Sequence, residues 1–275
     1  MGVSTISLGL GLGGGKAATS SGRLAGGAFT NQYSVSFDGS DDYMDAGNVT
    51  ELNSISAFTI SMWVNFEHVT GGAVMSVFTS GTSTSNRIEF VFNSINELRF
   101  GVDRSVNNCV LNISSPTDYR STNAWHNILG TYDGTNVTLF FDGSQVATTT
   151  SYVPGTTSST HGNDTTVGRR TLGGGNLYFN GLMDEVAIFN SALSASNITS
   201  IYNSGVPNDI SSLSPVGWWR MGDGSDGSGN ADGTVVGGLP QIYNVATDGS
   251  GNRITGTDGS LTNIASPNGI VTDVP

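Results

Sequence analysis

A chain of 275 residues with 12% charged and 36% apolar residues, and 39 glycines against 7 prolines, has the make-up of many short strands joined by tight turns, not of a helical bundle. Its net charge of −12, with Lys16 as the single lysine, leaves no basic stripe to neutralise nucleic-acid phosphates, and an anionic membrane surface should repel it. No apolar run approaches the ~20 residues of a membrane span, so neither nucleic acid nor membrane insertion is expected.

Residues 1–31 are rich in Gly, Ala and Ser and read as an arm. In "SLGLGLGG" the leucines Leu8, Leu10 and Leu12 alternate with glycine, an arrangement suited to small apolar pegs that let a partner backbone approach closely. The opening has no basic residue before its short apolar stretch, so no signal peptide is expected. Gly9, Gly11 and Gly14 match GxGxxG in form, but no buried strand precedes them and no helix follows. A phosphate-binding loop also fails, because Ala17 follows Lys16 where Ser or Thr is required.

Residues 32–206 carry the strands. "YSVSFDG" puts Tyr33, Val35 and Phe37 on one face, and "FTISMWVNF" gathers Phe58, Ile60, Met62, Val64 and Phe66, with Trp63 opposite. "RIEFVFN" and "ELRFGV" follow as neighbours, then "WHNILGTY" and "NVTLFFDG". Asp-Gly in "YDGTN" and "FDGSQ" marks hairpin turns. The pattern predicts an all-β fold, two antiparallel sheets packed face to face. "YFNGLMDEVAIFN" is a further strand, yet Asp184 and Glu185 stand side by side within it, and carboxylates are poor strand formers and costly to bury unpaired. One short helix is predicted in "ALSASNITSIYNSG", with Ser194 as N-cap, Leu193 stapled to Ile198, and Gly205 as its left-handed stop. Residues 207–275 form a Gly/Asp/Ser-rich extension around the aromatic island "VGWWRM", whose Trp218 and Trp219 need cover from the sandwich edge or a neighbouring subunit.

Little in the chain points to catalysis. The three histidines are far apart, Cys109 is alone, and neither HExxH nor GxSxG occurs. "DGSGNADG" lacks the glycine and the glutamate of a calcium loop. The nine arginines are scattered apart from Arg169-Arg170.

Four segments in one order, "SVSFDGSDDYMDAG", "FTISMWVNF", "WHNILGTYDGTNVTLFFDGSQVA" and "YFNGLMDEVAIFNSALSASNI", resemble the concanavalin A-like jelly roll of the laminin-G-like and pentraxin-related group over residues 32–206. The resemblance implies that the strand of Asp184 lies beside that of Asp38, where many members bind structural calcium. Asp38 and Asp184 are then the candidate Ca2+ ligands, and Glu185 faces the other way, toward an arginine. In the alternative without metal, Asp184 accepts hydrogen bonds from the "FDG" turn. Glycoside hydrolases of the superfamily carry paired strand carboxylates, but the glutamates here are isolated, so no enzyme is expected. The tail and the "LGLGLGGG" opening are similar to segments of virion proteins of marine tailed phages. That similarity implies a virion component (capsid decoration, fibre or tail-associated adhesin) assembled in the host cytoplasm. Its partners would be other virion proteins, copies of itself in a trimer or higher oligomer, and cell-surface glycans, with Leu8, Leu10, Leu12, Trp218 and Trp219 as assembly residues. The alternative is an extracellular lectin that stacks sugars on Tyr43, Tyr119, Tyr152 or Tyr178.

Overall fold

The computed structural model describes residues 29, 31, 34–40, 42–66, 75–83, 86–94, 97–103, 109–114, 124–149, 155–170, 177–221, 245–247, 253–254, 270–271 and 274–275. Its strands are β1 (Ser34–Asp38), β2 (Met44–Gly47), β3 (Phe58–Asn65), β4 (Met75–Ser83), β5 (Asn86–Ser94), β6 (Glu97–Asp103), β7 (Cys109–Ser114), β8 (Trp125–Tyr132), β9 (Val137–Phe141), β10 (Ser144–Thr148), β11 (Thr165–Val167), β12 (Arg169–Arg170), β13 (Leu177–Tyr178), β14 (Asn180–Phe189), β15 (Gly217–Trp219), β16 (Val245–Thr247), β17 (Arg253–Ile254) and β18 (Ile270–Val271). One α-helix, α1 (Ala195–Tyr202), follows β14.

The strands form two antiparallel sheets. The first runs β10-β9-β8-β3-β14-β1-β18, with β15 also paired to β14, and the second runs β17-β16-β2-β11-β4-β5-β6-β7. Strands β12 and β13 make a separate small ladder that leads from the second sheet back to the first. The sandwich predicted from strand periodicity is therefore the fold, and "RIEFVFN" and "ELRFGV" are neighbours as β5 and β6.

Period two explains the core. Phe58, Ile60, Met62 and Val64 of β3 meet Ile88, Phe90 and Phe92 of β5 and Leu98, Phe100 and Val102 of β6 between the sheets. The rings of Phe90 and Phe100 stack 4.3 Å apart. Gly130 of β8 makes room for them, because a Cβ there would lie 2.5–2.6 Å from both rings.

The outer face of the first sheet is also covered. Leu129, Phe140, Ala187 and Phe189 pack there against Ile198 and Ile201 of α1, Ile210 and Trp218. This second cluster buries the strands on both sides, so Trp63, opposite the core residues of β3, is only 2% exposed and stacks on Tyr202. The cap at Ser194 forms as predicted, its side chain accepting from the Asn197 N–H. The helix stop differs: Asn203 takes the left-handed conformation (φ 44°) two residues before Gly205, a role asparagine tolerates. Among the described residues no helix is long and apolar enough to cross a membrane.

Candidate functional site

The acidic pair Asp184-Glu185 lies in a β-bulge. Asp184 pairs with Trp63 and Ala187 with Ser61, so β14 holds one residue more than β3 across this interval. Glu185 absorbs the extra residue with φ 48°. The bulge turns its carboxylate toward β15, where Oε2 accepts from the Trp218 indole N–H and Oε1 accepts from Arg220 Nε at 3.1 Å. The Arg220 guanidinium lies 4.4 Å over the Phe29 ring, which itself stacks on Trp218. The neighbouring Asp184 is fully buried, and its Oδ1 accepts the Glu185 N–H at 2.8 Å.

Strand β1 does lie beside β14, but Asp38 pairs with Asn180. Asp38 and Asp184 thus sit four residues apart along the ladder, about 13 Å at ~3.3 Å per residue. Calcium ligands lie at about 2.3–2.6 Å, so these two side chains do not close on one ion. Asp38 instead accepts the Ser40 N–H, and its own N–H donates to Asp42. Among the described residues no three His, Cys, Asp or Glu side chains are placed to hold a metal. Leu8, Leu10 and Leu12 lie outside the described residues. Trp218 belongs to the outer cluster, and Trp219 belongs to the main core at 1% exposure.

The outer face of the second sheet holds an arrangement that chain order conceals. Opposite the core residues of β5 and β6 stand Arg87, Glu89, Arg99 and Asp103, and Arg170 of β12 reaches the same spot. Glu89, with no exposed surface, takes Arg87 Nε at 2.8 Å, Arg170 Nη1 at 3.2 Å and a short contact from Arg99 Nε. Asp103 takes Arg87 Nε at 2.9 Å and Arg99 Nη2 at 2.8 Å. Gly101 stands directly across from Glu89, and a Cβ there would lie 3.1 Å from the Val110 side chain of β7. Beside them the Arg169 guanidinium sits 3.3 Å over the Tyr43 ring, and Arg169 pairs with Tyr178 across the β12–β13 ladder. Four of the five arginines with described side chains converge here.

Burial works against the Arg99 cation, but Glu89 and Asp103 more than offset it and hold Arg99 above its ordinary value. Burial pushes the Asp103 carboxyl up; Arg99 and Arg87 pull it down, and burial prevails. His161, fully buried, braces the same strand end: its Nδ1 lies 2.8 Å from the Ser158 N–H that donates to it, and its Nε2 is 3.1 Å from the Asp103 carbonyl. Sequence reading missed this cluster. Its signal was the alternation of Arg87 and Glu89 with Ile88 and Phe90, repeated by Arg99 and Asp103 around Phe100 and Val102. Of the tyrosines proposed for sugar stacking, Tyr43 and Tyr178 flank the cluster, while Tyr119 and Tyr152 lie outside the described residues.

Known proteins place this fold. A family model for the concanavalin A-like lectin/glucanases superfamily matches residues 38–199. A Bacteroides ovatus protein named for carbohydrate binding is 15% identical, with TM-score 0.52 over 70% of this chain and 52% of that one. The CBM40 module of the Ruminococcus gnavus IT-sialidase, bound to α2,3-sialyllactose, is 13% identical, with TM-score 0.50 over 64% of this chain and all of the module (100%). A heptameric pentraxin of Limulus polyphemus is 16% identical, with TM-score 0.47 over 65% and 86% of the two chains. At such identities the likeness is one of fold, and no curated protein matches the chain. With the matched residues spanning the sandwich from the end of β1 into α1, the chain belongs to the concanavalin A-like lectin/glucanases superfamily.

Proposed function

We propose that this chain is a non-catalytic carbohydrate-binding protein whose ligand lies on the outer face of the second sheet. The observation that carries the reading is the Tyr43–Arg169–Tyr178 group beside the arginine cluster. Aromatic faces stack sugar rings, and polar groups fixed around them set orientation. The first sheet's outer face is covered by α1, Ile210 and Leu213, so it offers no comparable surface among the described residues. The two carboxylates of the cluster support binding over hydrolysis. Glu89 and Asp103 spend their oxygens on guanidiniums, which pins the arginines and leaves neither of the two positioned as a free nucleophile.

The setting we propose is the surface of a phage particle, with the domain as an adhesin in an oligomeric virion component. The similarity of the two terminal segments to phage virion proteins supports that setting. The test is a glycan array probed with the full chain, beside an assay for released reducing ends. Retention of one glycan class, lost in Tyr43→Ala and with no product released, is the expected result. Product release would replace the reading with an enzyme, and a folded chain that retains no glycan would remove it. Immunogold labelling of particles from the producing culture tests the setting.

A further inference from the structure

We infer that the arginine cluster is a seat for a sugar carboxylate, so that the ligand is an acidic glycan built from uronic or sialic acid residues. The inference rests on the carbohydrate-binding reading and adds the charge of the sugar.

The first argument is donor supply. Arg87, Arg99 and Arg170 keep 12%, 18% and 20% of their side-chain surface exposed, while Glu89 and Asp103 beneath them keep 0% and 4%. The carboxylates therefore grip the guanidiniums from below and leave other N–H edges directed elsewhere. Arg170 engages Glu89 through Nη1, while a fifth of its side-chain surface stays open. A planar fork held in this way presents parallel donors to an incoming carboxylate with little ordering cost.

The second argument is charge. On this face the four guanidiniums of Arg87, Arg99, Arg169 and Arg170 stand against Glu89, Asp103, Glu97 near the start of β6, and Asp45 of β2. In a chain of net charge −12, a face where guanidiniums and carboxylates balance is where an anion is least repelled. A dense polysulfate would meet Glu97, Glu89 and Asp103 as well. The third argument is shape: Tyr43, beside β2, and the part of the cluster on β6 stand four strand spacings apart in the order β2-β11-β4-β5-β6. At ~4.8 Å per strand that spans about 19 Å, enough for an oligosaccharide with its ring on the tyrosines and its carboxylate on the arginines.

Calorimetry on the full chain tests this with α2,3-sialyllactose against lactose, and oligogalacturonate against its carboxyl-reduced, neutral counterpart. In at least one pair the acidic member should bind roughly tenfold tighter or more, the worth of one charged hydrogen bond. Arg170→Gln should remove that preference, bringing affinity for the acidic member down to that for the neutral one. Arg170→Gln leaves Glu89 held by Arg87 and Arg99, so the variant should fold, and circular dichroism checks this. Preference for the sialylated or the uronate pair identifies the source of the carboxylate. Equal affinity for acidic and neutral members would overturn the inference and leave the carbohydrate reading intact. Failure to bind any of the four would overturn both. Heparin bound more tightly than either acidic sugar, and released by moderate salt, would also overturn it, as diffuse polyanion contact.

Discussion

Glu185 shows how one residue can look misplaced in a sequence and be required by a fold. A carboxylate at the middle of a strand breaks the apolar alternation, and the bulge turns that break into a polar tie to Trp218 and Arg220. Glu185→Ala should cost about 3–5 kcal/mol, the range for breaking a buried ion pair, while Glu185→Gln, which keeps an acceptor for the indole, should cost less; chemical denaturation of the two variants measures both. Asp103 makes a prediction about pH. Its carboxyl titrates above the ordinary aspartate value when folded, so the native state holds its proton longer than the unfolded chain does. That contribution is full below the ordinary aspartate value, near ~4, and is lost as pH rises through the raised one. Asp103→Asn should therefore flatten the stability-versus-pH curve in that window. The groups facing it are Arg87, Arg99 and Glu89, with His161 at its carbonyl. The arginine partner of Glu185 was legible in the sequence as a type but not as a position. A bulge shifts which residues face which side, and periodicity alone does not locate it.

At the scale of elements the strands read well because both faces follow period two. The interior face of β3 is apolar throughout, and β5 and β6 repeat the pattern. The charged cluster was hidden for the complementary reason. Its members sit on three strands joined through long sequence separations, with Arg170 eighty-one residues from Glu89. Pairing register brings them together, and register is a tertiary property. Helix α1 was legible from its cap, while its end was displaced because Asn203 reaches the left-handed region before the glycine does. Ser194→Ala should lower stability by about 1 kcal/mol, the usual worth of an N-cap, measured by thermal unfolding. Asn203→Gly should be neutral or stabilising by the same assay, since glycine takes that conformation without steric cost.

Over the whole molecule, the segment after α1 is structural. Val216, Trp219 and Met221 lie in the main core, while Ile210 and Trp218 help to cover the first sheet. A chain cut after Val206 should fail to give a cooperative melt, because loss of a buried Trp side chain alone costs about 3–5 kcal/mol. A chain cut after Met221 tests how much residues 222–275 add, and the difference in melting temperature between the two measures the part played by β15. The bulge also lines up two strands distant in sequence. Strands β1 and β15 are both antiparallel to β14 and lie on the same edge of it, one on each side of Glu185. The last residue of β15 pairs with Val186, and Val35 of β1 pairs with Met183, so the exit of one strand meets the entry of the other. The two behave as a single strand nicked at the bulge. A short splice across that nick from Met221 to Ser34, with new ends opened at the Asp142-Gly143 turn, would permute the sandwich circularly without residues 1–33 and 222–275 and keep the pairings of β1 and β15 with β14.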